Sequence, residues 1–181
     1  MDEYDFELIV VNQQAVDFGD NLVACVKGIK FSGISLVPKA NMQAVGYGIF
    51  GDILEDKDDG KKYPIGALQL NDDYIMYFDP SVKKVKKNFN VMASMIAYHF
   101  QVKDMNVESF KDKLMIFGKA VITGKGDSTY NPKTLNCEEF MRVLGTVFAE
   151  VDKEGNPVPG GITINKIKNL KGMYNAKFSD N

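Results

Sequence analysis

The stretch "NFNVMASMIAYHFQV" (residues 88–102) decides the fold. Val91, Ala93, Met95 and Ala97 alternate, which is the pattern of a half-buried strand. The same residues are apolar nearly all round a helix, which suits a helix buried on every side. On a helix, Met92, Met95, Ile96 and His99 share one face. We read the segment as a buried helix, and the rest of the chain supplies the layer it needs.

Downstream, "NVESFKDK" reads as a short helix from Asn106, and "LMIFGKAVIT" (114–123) as a strand. Gly124-Lys125-Gly126-Asp127 then reads as a turn, and the stretch to Lys133 as a flexible connector. Asn136 opens the best helix, about 136–147. Glu139 stands three residues after it, and Phe140, Val143, Leu144, Val147 and Phe148 recur at helical spacing. Glu138 and Glu139 occupy the first turn, where the helix dipole favours acids. "VDKEGNPVPGG" reads as a turn, "ITINKIKNL" as a late strand and "GMYNAKF" as a last one.

Upstream, "YDFELIVV" (4–11), "LVACVKGIKF" (22–31) and the glycine-rich "AVGYGIFGDIL" (44–54) read as strands. "SGISLVPKAN" reads as an edge segment, because Pro38 cannot donate to a ladder. Asp59-Gly60 is a hairpin signal. "YPIGALQL" and "DYIMYF" give two more strands, turning at Asn71-Asp72-Asp73. The expected fold is α+β and β-rich, with a mostly antiparallel sheet, sandwich or barrel and one or two packed helices. The 181 residues suit a single domain, 1–181, able to bury a core without disulfide or metal.

Composition narrows the function. Met1-Asp2-Glu3 lacks the basic and then apolar start of a secretory signal. No apolar run reaches transmembrane length. The expected location is cytoplasmic, or a viral particle assembled there. Cys25 and Cys137 allow one disulfide, but two buried thiols are the better reading. Residues 1–80 hold 14 acids and 6 bases, whereas 81–181 hold 10 acids and 16 bases. If the halves formed separate faces, copies could stack head to tail. Otherwise the charges mix. Bases are 21 lysines and Arg142 alone, which weakens sequence-specific nucleic-acid recognition.

The stretch "ITGKGDSTYNPK" (122–133) invites comparison with a phosphate-binding loop, G-x-x-x-x-G-K-[ST]. Five residues separate Gly118 from Gly124 instead of four, Gly126 stands where the hydroxyl should be, and no helix follows at once. The comparison fails on spacing, hydroxyl and context.

The acids Asp52, Glu55, Asp56, Asp58 and Asp59 do not fit a calcium loop. With Gly60 at its sixth position, Lys57 would fall at the third and Gly66 at the twelfth. Cys137 at a helix start could be an activated thiol, but Glu138 and Glu139 oppose the thiolate, and its base would have to be His99. One histidine and two cysteines are too few for a Cys₄ or Cys₂His₂ zinc site. No nucleophile elbow or dinucleotide fingerprint occurs. No catalytic residue, metal or cofactor is expected, and an enzyme is disfavoured.

Lys83, Lys84, Lys86 and Lys87 form the densest charge cluster, with Phe89 and Tyr77 near them in sequence. Lysines so placed can follow a phosphate backbone while an aromatic ring stacks a base. They also serve simply to blunt an exposed edge. The leading expectation is a non-enzymatic binding or assembly protein that acts through its surface, such as a viral or mobile-element structural or host-interaction protein. Its partner would be another protein or itself, as a homo-oligomer, with no membrane. The alternative is non-specific nucleic-acid binding through Lys83–Lys87 and Phe89. A small enzyme comes third.

Overall fold

The computed structural model describes residues 6–14, 33–40, 66–80, 82–101, 115–128, 131–147, 149–151, 157–159 and 161–178. The strands expected at 22–31 and 44–54, the Asp59-Gly60 hairpin, the acid cluster, the Asn106 helix and Cys25 lie outside them.

The sheet contains β1 (Phe6–Val11), β2 (Ile34–Ala40), β3 (Gly66–Gln69), β4 (Tyr74–Phe78), β5 (Ala120–Ser128) and β6 (Asn131–Lys133). Its order is β2-β1-β5-β4-β3, and every pairing is antiparallel. β6 pairs with the later part of β5. A separate hairpin joins β7 (Ala149–Val151) and β8 (Pro157–Pro159). The fold is therefore α+β and β-rich, built on a mostly antiparallel sheet. Among the described strands, β2, with its Pro38, lies at the end of the order, as expected for a residue that cannot donate to a ladder.

Register aligns Ile9, Ile122, Met76 and Leu68 across four neighbouring strands. This row joins one core with the helices. Leu8, Ile75, Tyr77 and Val121 alternate with it and are buried too. Strands covered on both faces need apolar residues at successive positions, which explains "ELIVV" and "YIMYF". Asn71 makes the β3–β4 turn. Its side-chain oxygen accepts from the Asp73 and Tyr74 amides at 2.8 and 2.9 Å.

The deciding stretch is a helix, α1 (Val91–Gln101). Every residue from Val91 to Tyr98 is buried, at 5% exposure or less. A strand would not place consecutive residues in one helical layer. Asn90, wholly buried, caps α1. Its Oδ1 accepts from the Ala93 amide at 3.0 Å, and its side-chain amide donates to the carbonyls of Val11 and Gly118. Ser94 Oγ donates to the Asn90 carbonyl at 2.7 Å and accepts from the Ile116 amide at 2.9 Å. Buried polar groups are thus paired rather than stranded.

The second helix, α2 (Cys137–Val147), starts where its signals place it. The Asn136 side chain accepts from the Glu139 amide at 3.0 Å. Phe140 and Leu144 are fully buried.

Two expectations are corrected. The strand read at 114–123 begins only at Ala120. Gly118, at φ +80°, bends the chain before it, and its amide donates to the Asn88 carbonyl at 2.6 Å. The strand then runs through Gly124–Asp127, read above as a turn. β4 and β6 flank this run, with Tyr74 and Lys133 both opposite Gly124. A Cβ on Gly124 would collide with the Thr134 carbonyl. The glycine permits close backbone approach there, not a turn.

The strands read at "ITINKIKNL" and "GMYNAKF" are one helix, α3 (Gly161–Phe178). The β-branched start favours a strand locally, and Gly172 weakens a helix. Burial of Leu170, Met173 and Phe178, which recur at helical spacing, overrides that preference.

Candidate functional site

After β4 the chain makes a tight lysine-bearing turn. Its core is a 3-10 helix, Lys86–Asn88. The Val85 amide donates to the Lys83 carbonyl at 2.9 Å, and the Asn88 side chain donates to the same oxygen, also at 2.9 Å. The Phe89 amide closes the turn on the Lys86 carbonyl at 3.1 Å. With the backbone fixed this way, Lys83, Lys84, Lys86 and Lys87 are all exposed.

The two aromatics expected beside them are not. Phe89 is 4% exposed and Tyr77 is 2% exposed, so neither offers a face to a base. This corrects the stacking role read for Phe89. Its ring belongs to a cluster under the turn, 5.7 Å from Phe117 and 5.4 Å from Tyr174. Phe178 completes the cluster, 6.4 Å from Phe117 and 5.0 Å from Tyr174. Such tilted and edge-on contacts are the preferred geometry of aromatic pairs. Phe89 anchors the lysine turn and adds no exposed ring to it.

Two hollows adjoin the turn. One, of about 200 Å³, is lined by Lys84, Val85, Lys86, Lys177 and Phe178. The other, of about 280 Å³, has mainly apolar walls, including Leu68, Phe78, Val82, Met115 and Phe117, with Asp79 and Lys84 also lining it. Lys84 lines both. Phe117 lines one and Phe178 the other, and these two rings touch edge-on. The four-lysine cluster therefore divides: Lys84 and Lys86 line the basic hollow, and Lys83 and Lys87 line neither.

Lys177 was not legible as a partner of this cluster while its segment was read as a strand. The signal was present in Leu170, Met173, Tyr174 and Phe178, spaced three or four residues apart. On α3, that spacing buries Met173 and Phe178 and leaves Lys177 exposed beside the turn.

Asp79, from the acidic half of the sequence, and Lys84, from the basic half, line the same hollow.

Cys137 is buried and reduced, with its thiol 3.6 Å from the Leu8 carbonyl. Burial, and secondarily the nearby Glu7 carboxylate, push its pKa up to about 11. A nucleophilic thiol needs the opposite shift. The His99 ring packs edge-on against Phe100 at 5.3 Å. Among the described residues, no group of three His, Cys, Asp or Glu side chains could hold a metal ion. No described helix is long and apolar enough to cross a membrane. Comparison with protein-family models, curated proteins and solved structures returns no match.

Proposed function

We propose that the chain is a non-enzymatic binding protein that receives an anionic partner on its lysine turn. One observation carries this reading: Lys84 and Lys86 meet Lys177, from the far end of α3, around a single hollow. Among the described residues, none of the three is in an ion pair. Like charges gathered by separate elements repel one another, and an anion seated among them relieves that repulsion.

A nucleic-acid strand is the second reading, supported by the exposed lysines. With Phe89 and Tyr77 buried, it would be held through phosphates rather than stacked bases.

The test is binding to heparin and to a short single-stranded DNA across a salt series, with solution mass followed by light scattering. Salt-sensitive binding that the combined Lys84→Gln, Lys86→Gln and Lys177→Gln variant loses is the expected result. Three phosphate contacts on a single strand give a slope of log K against log salt of about −2. A homo-oligomer that salt dissociates and the same variant abolishes would make a second copy the partner. No binding and no association at low salt, or a triple variant that behaves like the parent, would overturn the reading.

A further inference from the structure

We propose that the two hollows are one site for a free single-chain amphiphilic anion. The chain lies in the apolar cavity, and the anionic headgroup lies among Lys84, Lys86 and Lys177. The headgroup half rests on the anion-binding reading above. The chain half rests on a separate observation, the apolar cavity that shares Lys84.

The cavity's chemistry selects the occupant. Leu68, Phe78, Val82, Met115 and Phe117 present hydrocarbon and aromatic rings. A peptide would bring amide groups that the apolar part of these walls leaves unpaired, at a desolvation penalty. An alkyl chain brings none. About 280 Å³ lies just below the range of roughly 300–1,000 Å³ usual for drug-sized ligands. That suits a single chain.

Charge sets the direction. Asp79 lines the apolar cavity but not the basic hollow. The three lysines draw the headgroup into the other hollow. Lys84, common to both, marks where headgroup and chain join. The Phe117–Phe178 edge contact adjoins this junction and keeps the aromatic cluster closed beneath it.

The experiment is a chain-length series of carboxylates from butyrate to dodecanoate, kept below the concentration at which they self-associate. Binding is measured by calorimetry on the full chain. Burial of each methylene contributes about 0.8 kcal/mol, so decanoate should bind about two-hundred-fold more tightly than hexanoate. Lys84→Gln and Lys177→Gln should each weaken decanoate about fivefold, as the loss of one exposed ionic contact does. Ala67→Phe, which introduces a ring at a half-buried position lining the cavity, should abolish the chain-length dependence. Its thermal unfolding, measured alongside, checks that it folds.

Affinity that climbs with chain length and falls in both lysine variants supports the site. Heparin binding with no chain-length dependence overturns it and leaves the anion-binding surface standing. Binding to phosphatidylglycerol vesicles without any response to free decanoate overturns it in favour of a membrane headgroup. No binding to carboxylate, heparin or single-stranded DNA overturns both readings together.

Discussion

Asn90 donates its side-chain amide to the Gly118 carbonyl at 2.8 Å, and this bond ties the start of α1 to the loop that feeds β5. The second amide hydrogen goes to Val11 at the end of β1, 2.9 Å away. One fully buried residue thus fixes the helix against the end of β1 and the loop before β5.

Asn90→Ala removes both donors and the cap on the Ala93 amide. The carbonyls of Val11 and Gly118 then lose a buried partner. We expect a loss of about 2–4 kcal/mol, combining a cap with an unsatisfied buried group. Urea denaturation of parent and variant measures it. A change below about 0.5 kcal/mol, the scatter of ordinary surface substitutions, would refute the hub.

Two glycines should respond in opposite directions. Gly118→Ala forces a side chain into φ +80° and brings its Cβ to 2.9 Å from Val82 Cγ2. That should cost about 1–3 kcal/mol. Gly172→Ala sits within α3 with open space around the new methyl group. It should gain about 0.5–1 kcal/mol, because alanine is the better helix former. Thermal unfolding of both variants separates the effects. A destabilising Gly172→Ala would count against the helix.

The Asn136 cap predicts a smaller loss. Asn136→Ala deprives the Glu139 amide of its 3.0 Å partner. About 1 kcal/mol is expected from chemical denaturation, and Asn136→Ser should recover most of it.

Cys137 predicts how stability changes in alkali. Its pKa in the folded chain is about 11, above the ordinary value of 9.0. Between these values the unfolded chain has given up the proton and the folded chain still holds it. Stability is therefore intact below pH 9 and falls as pH rises towards 11. Urea midpoints at pH 8 and pH 10.5 should diverge more in the parent than in Cys137→Ala. Equal divergence would assign the alkaline loss to other groups.

Much of the fold is legible where pattern and burial agree. "YIMYF" and "FELIVV" are short, β-branched or aromatic apolar runs bounded by polar residues, which suits strands, and the Asn136–Glu139 spacing marks a helix start. Legibility fails where a distant partner decides. Gly124–Asp127 has the composition of a turn, but β4 and β6 extend it into a strand. "ITINKIKNL" has β-branched residues, but the core requires its helical stripe. The site follows the same division. Four lysines are visible as a cluster, while the burial of Phe89 and the arrival of Lys177 depend on how α3 packs.

β5 lies between β1 and β4, and this placement has a consequence for biosynthesis. The Glu7 amide bonds to a hydroxyl 127 residues further on, at Thr134. A ribosome adding about 5–20 residues per second needs roughly 6–25 s to make that span. Through most of this interval, until β5 is made, β1 has β2 beside it but not β5 on its other edge, and Leu8 and Ile9 await their cover. Nascent chains that stop short of β5 would present two unjoined apolar hairpins, a natural substrate for holdase chaperones. The sheet can close only once most of the chain has left the exit tunnel.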